Sequence, residues 1–146
     1  MVVFGLEHYV YGMHRIHELG ALVEAAGGVM IGAHPYRRQL SFELRNEGDW
    51  SEALDRAVAN PAYAHVAAIE TLNGRGSSRE NAFAAEIASR LGTRQAAASD
   101  AHAAADVGRC ATEFERRIAG LIDLIAELKS GRFHPLDLTA TQWPNL

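Results

Sequence analysis

Ser99-Asp100-Ala101-His102 closes a run of small apolar residues, Gln95-Ala96-Ala97-Ala98. Residues two apart on an extended backbone share one side. The spacing therefore predicts that Asp100 and His102 aim a carboxylate and an imidazole at one point, as two ligands offered to a divalent metal. A second tip of this kind lies upstream, where Val29-Met30-Ile31-Gly32-Ala33 runs into His34-Pro35. The proline restricts His34 to an extended or turn conformation. Imidazole and carboxylate without thiolate suit zinc, manganese or iron. His34, Asp100 and His102 are thus the candidate metal ligands, and Ala97, Ala98 and Ala101 leave room for an ion and a substrate. The competing reading is local: a turn hydrogen bond at His34, a capped turn at Asp100, and His102 in solvent.

Arg37 follows His34 closely, and a guanidinium beside a metal site can hold a phosphate through two parallel hydrogen bonds. Arg37 is a candidate substrate contact; the alternative for it and Arg38 is a solvated loop charge. Asn73, at the end of a third apolar run, is the other candidate substrate contact, although Asn73-Gly74 is also a turn signal. Glu70 beside it is as readily structural. His14 and Glu18 stand four apart on the polar side of a helical segment that also carries His17, a spacing shared by zinc pairs and ordinary surface pairs. His8 follows the first apolar run and is a weaker extra candidate. His65 and His134 read as surface or packing residues, and Cys110 as buried. No residue is assigned a catalytic role. Gly74-Arg75-Gly76 fits neither a Walker loop nor a dinucleotide fingerprint, and no nucleophile elbow occurs.

These residues need elements to position them. Short apolar runs predict strands at Val2–Leu6, Val29–Ala33, Val66–Leu72 and Gln95–Ser99. Between them, helical periodicity predicts a helix over His14–Ala26, ended by Gly27-Gly28. Arg37–Gly48 reads as a loop. A second helix runs from an Asp49 cap to about Asn60, with Glu52 at the capping-box position. A third starts at the Ser77–Glu80 capping box and ends at Gly92, and a fourth spans about Arg117 to Lys129 before Gly131. Four successive strand-helix units argue for an α/β fold with a mainly parallel sheet. In such folds the chemistry gathers beyond the carboxyl ends of the strands, where His34, Asn73, Asp100 and His102 all fall.

The 146 residues suffice for one domain over 1–146 with a sizeable core. Net charge is −4, so no bulk basic surface invites nucleic acid or anionic lipid. No apolar run approaches the roughly 20 residues of a membrane span. A single cysteine precludes an internal disulfide, and the expected location is the cytoplasm.

Ile31-Gly32-Ala33-His34-Pro35, Ile69-Glu70-Thr71-Leu72-Asn73-Gly74 and Ala98-Ser99-Asp100-Ala101-His102 with Val107-Gly108, in that order, resemble the PHP (polymerase and histidinol phosphatase) family. The closing Thr112-Glu113-Phe114 and Leu128-Lys129-Ser130-Gly131-Arg132 are similar to it as well. The resemblance covers roughly residues 2 to 135. It implies part of a distorted (β/α)7 TIM-like barrel with a two- or three-metal site on its carboxyl rim, and hydrolysis of phosphate esters. By that resemblance His34, Asp100 and His102 are metal ligands. The family opens with a His-x-His metal motif, which occurs nowhere in this sequence. The chain therefore resembles the family's C-terminal portion, a single partial domain. Three arrangements accommodate this: a truncated or incomplete enzyme, a homodimer that assembles a fuller barrel, or a lone fold with a weak single-metal site.

The leading expectation is a metal-dependent phosphoesterase acting on a small phosphorylated substrate or nucleotide. One rival is a non-catalytic interaction module with a partial metal site. Another is a metal-dependent amidohydrolase, whose barrel also uses His and Asp at strand tips.

Overall fold

The computed structural model describes residues 1–12, 15–40, 44 and 46–139. His14, and with it the His14/Glu18 pairing, lies outside the described residues. Strand β1 (Val2–Phe4) is followed by helix α1 (Ile16–Ala25), β2 (Val29–Gly32), α2 (Glu47–Val58), a 3-10 turn (Pro61–His65), β3 (Ala68–Asn73) and α3 (Ser78–Leu91). Then come β4 (Arg94–Ala98), a second 3-10 turn (Ala104–Asp106), β5 (Cys110–Phe114), α4 (Leu121–Ser130) and β6 (Phe133–Asp137). No helix among the described residues is long and apolar enough to cross a membrane.

Sequence chemistry explains the helix ends. Ser77 accepts from the Glu80 backbone N–H, and Glu80 returns a carboxylate to the Ser77 N–H at 2.8 Å, the expected capping box. Gly131 closes α4 at φ 70°, in the left-handed region where a Cβ is disfavoured. The start of α2 differs from expectation. Asn46, not Asp49, is the cap, its side chain accepting from the Asp49 N–H at 2.9 Å. Asn and Asp cap equally well, so periodicity alone did not choose between two caps three residues apart.

β1–β4 form a mixed sheet in sequence order, parallel from β2 to β4. β1 runs antiparallel to β2, with Val2 opposite Ile31 and Phe4 opposite Val29. Its carboxyl end therefore lies away from the rim where β2, β3 and β4 terminate. His8, which follows that end, is not part of the rim, and the first strand is not a parallel unit. The sheet buries both faces. On one, Leu54, Phe83 and Ile87 of α2 and α3 pack on Ile69, with the Trp50 and Tyr36 rings set edge-on to Phe83 at 4.9 and 5.2 Å. On the other, Val29, Ala68 and Ala96 meet Leu128 of α4 and Phe133 of β6. A cavity of about 230 Å³ remains on this second side, lined by Phe4, Ile31, Ala97, Phe114 and Leu124, with Glu70 at its wall.

β5 and β6 pair antiparallel in a separate two-stranded sheet, joined through α4, where the apolar-run pattern predicts no strand. Their junction with β4 runs through side chains. The Thr112 hydroxyl accepts from the Ala97 N–H at 2.9 Å and donates to the Ala97 carbonyl at 2.8 Å. Ser99 Oγ likewise donates to the Cys110 carbonyl and accepts from the Gly108 N–H.

Candidate functional site

Three strand ends deliver the candidate residues to one rim. β2 ends at Gly32 and leads to His34 and Arg37; β3 ends at Asn73; β4 ends at Ala98 and leads to Asp100 and His102. Gly74 lets the second and third meet, since a Cβ there would lie 2.7 Å from the Ser99 carbonyl oxygen. Four non-glycine residues adopt positive φ among the described residues: His34 (29°), Tyr36 (62°), Arg38 (59°) and Asp100 (50°). All four belong to the two loops of this rim. Such conformations cost about 1–3 kcal/mol each and persist where the surroundings over-determine them, a pattern concentrated at functional sites.

The rim is a charge network. Asp100 accepts from Arg37 Nη1 in an ion pair whose side chains are 13% and 19% exposed. Asn73, itself buried, donates its amide to Glu70 Oε1 at 2.6 Å and to Asp100 Oδ2 at 3.3 Å. One amide thus bridges two carboxylates. The Asn73 side-chain oxygen accepts from the Arg75 N–H, and Asn81 holds the Asn73 backbone from both sides. Burial raises the Glu70 carboxyl above its ordinary value, against the opposing pull of Asn73 and the His34 backbone N–H; the nearby Asp100 charge adds to the rise. Burial also acts to raise Asp100, but the Asn73 amide, the Arg37 guanidinium and the His34 and His102 rings together hold it below its ordinary value.

His34 and His102 are placed differently from the expected pair of tips. Because Asp100 turns left-handed, the strand's alternation stops at Ala98 and no longer sets Asp100 and His102 side by side. His102 is 62% exposed, and its Nδ1 lies 2.8 Å from the Asp100 backbone oxygen but 3.9 Å from the carboxylate. Its backbone N–H is held by Asp106, which also accepts from Ala103 and Arg75. His34 is exposed, and its ring is near enough to Glu70 and Asp100 to favour the charged form of both. Among the described residues no three His, Cys, Asp or Glu side chains stand close enough together to hold a metal ion. The donor types suit a divalent ion, yet this arrangement does not fit one: a guanidinium already sits on Asp100.

Of the proposed substrate contacts, Arg37 reaches the rim, but its charge is spent on Asp100. Asn73 is there too, with its polar atoms committed to Glu70, Asp100 and Arg75. Arg38 faces solvent, its backbone N–H donating to Glu80 Oε1, so the cap of α3 also anchors the arginine loop. Glu80 was legible only as a capping box. Glu70 and Asp106 carry more of the site than their sequence context suggested; Glu70 had a signal, its place three residues before the Asn73 tip, whereas Asp106 had none. Outside the rim, His65 packs on Gly20, His134 pairs with Glu113 on the surface of the β5–β6 sheet, and Cys110 is buried, as the sequence indicates.

Residues 78–133 match the family model described as PHP-associated (PHP_C). That stretch runs from the first turn of α3 to the first residue of β6 and includes Asp100 and His102, but not His34, Arg37, Glu70 or Asn73. No curated protein matches the chain. No solved structure matches it either.

Proposed function

We propose that this rim belongs to a phosphate-ester hydrolase of the PHP type and that the chain forms part of a larger TIM-like barrel wall. His34, Asp100 and His102 carry donor types suited to a divalent ion of the zinc, manganese or iron class, although as placed they do not converge on one. The observation that carries the reading is the gathering of all four left-handed, non-glycine residues at the rim that holds Asp100, Glu70, Asn73 and Arg37. The PHP-associated match across Asp100 and His102 supports it. The chain's own contribution is positional. Asn73 fixes the two carboxylates relative to each other, and the Arg37 fork meets a phosphoryl group of a small phosphorylated substrate or nucleotide only by leaving Asp100.

A second reading has a specific observation behind it. The Arg37–Asp100 pair and the missing three-donor group favour a non-catalytic interaction module. Assay of an aryl phosphate with manganese, zinc or iron, alongside Asp100→Asn, separates the two. Turnover that disappears in the variant supports the hydrolase. Turnover no greater than the variant's with every metal, together with no binding of inorganic phosphate, rejects it. Cleavage of an aryl amide but not the ester would move the reading to an amidohydrolase.

A further inference from the structure

We propose that the cavity between the sheet and α4 binds a small apolar molecule that carries one hydrogen-bond donor and presents it to Glu70. The site stands whether or not the rim hydrolyses phosphate esters.

The cavity measures about 230 Å³. A void of about 150 Å³ walled by aliphatic and aromatic side chains stays dry and takes up benzene, so this one has room for about nine non-hydrogen atoms. Its apolar walls come from both layers: Ile31 of β2 and Ala98 of β4 on the sheet side, Phe114 of β5 and Leu124 of α4 opposite. Val2 of the edge strand β1 also lines it and is exposed, so the cavity opens to solvent at that edge. Only Thr112 and Glu70 bring polar side chains to the lining. The Thr112 hydroxyl is committed, accepting from the Ala97 N–H and donating to the Ala97 carbonyl. Glu70 is buried but not saturated. Its carboxyl accepts from the Asn73 amide at 2.6 Å and from the His34 backbone N–H. An ionised carboxyl offers about four acceptor positions, so capacity remains on a group that faces an apolar void. A buried polar group without its partners is costly. Water is a poor partner here, because it needs about two to four polar contacts of its own and the lining has one unsaturated group. β3 also shifts register against β4 between Glu70 and Leu72, a bulge of the kind that re-aims a side chain beside a site. An apolar body with a single donor satisfies the walls and the carboxyl together, whereas a second polar group on the ligand would meet no partner.

The test uses indole and indene, which share a bicyclic outline and differ in whether an N–H donor is present. Calorimetric titration of the full chain is expected to show indole binding at least about tenfold more tightly than indene, the increment of one hydrogen bond to a carboxylate. Glu70→Leu removes the acceptor and brings the two affinities together, with indene binding retained. Glu70→Gln keeps an acceptor oxygen, guards against a folding defect, and is expected to retain a smaller preference for indole. Ala98→Leu from the sheet side and Leu124→Trp from the helix side fill the space and abolish binding of both probes, with melting curves showing that each variant is folded. Failure of both probes to bind the wild type overturns the proposal. So does equal affinity for the two, a preference for indole that survives Glu70→Leu, or binding that persists in a folded filling variant. A second copy as the occupant would appear as a dimer in sedimentation that neither probe enters, and that result overturns it as well.

Discussion

Among the described residues, Arg132–Glu127 and Arg37–Asp100 are arginine–carboxylate pairs built from the same chemistry in opposite ways. At the junction of α4 and β6, Arg132 grips Glu127 with two arms, Nε to Oε2 at 2.9 Å and Nη2 to Oε1 at 2.5 Å. The partners are five residues apart, and the carboxylate is buried. At the rim, Arg37 touches Asp100 with one arm, across 63 residues, and shares that carboxylate with Asn73. The first pair closes on itself and leaves no guanidinium fork open. The second leaves an orphaned donor and a carboxylate already divided between two partners. Pair count alone therefore says little; the number of arms engaged and the local connection distinguish a fastening from a contact that can exchange.

The comparison can be broken experimentally, and the largest effect belongs to the rim. On the hydrolase reading proposed above, Asp100→Asn is expected to reduce ester hydrolysis by about 10- to 100-fold, and, because it leaves the one-armed Arg37 guanidinium without its charge partner, to lower the melting temperature, though less than Glu127→Gln does. A fall in melting temperature larger than that of Glu127→Gln would show that the rim pair is the structural one.

Glu127→Gln should do the reverse, lowering thermal stability and leaving turnover intact. Its pH dependence gives the sign. Hydrogen bonding to Arg132 holds the Glu127 carboxyl below its ordinary 4.5. A depressed carboxyl contributes stability that is present above the unfolded value and is lost as pH falls through the folded one. The gap in melting temperature between wild type and Glu127→Gln is thus expected to be full at pH 6 and to shrink below about pH 4.5. A gap that widens on acidification would contradict the assignment.

The smallest effect is a control. Arg56 and Glu52 pair on the surface of α2 with side chains 64% and 74% exposed. Arg56→Ala is expected to change stability by no more than about 0.5 kcal/mol in chemical denaturation. A larger loss would erase the distinction between exposed and buried pairs on which the ranking depends.

Much of the scaffold was readable in advance, and the reasons are specific. β2, β3 and β4 announce themselves as apolar runs between turn residues, and Ser77, Glu80, Gly92 and Gly131 mark helix ends through local hydrogen bonding. The shared rim followed from that alternation. What was hidden depends on three-dimensional placement. Periodicity carries no direction, so β1 was not seen to run antiparallel, and His8 was set at the wrong end. β6 contains Pro135, which lacks a ladder donor and obscures a strand. The left-handed turns at His34, Tyr36, Arg38 and Asp100 carry no glycine; His and Asp enter that conformation more readily than most side chains, but too seldom for the local sequence to reveal the turns. Arg37 could be paired with Asp100 only once the topology had closed the distance.

Thr112 has a consequence for how the molecule opens. Its hydroxyl both accepts from and donates to the Ala97 backbone, so the two-stranded β5–β6 sheet joins β4 there through a side chain. Hydrogen exchange at the Ala97 amide consequently reports release of the β5–β6 sheet, independently of unzipping between β3 and β4. A single backbone proton on the outer margin of the sheet becomes a clock for one segment lifting away from the rest.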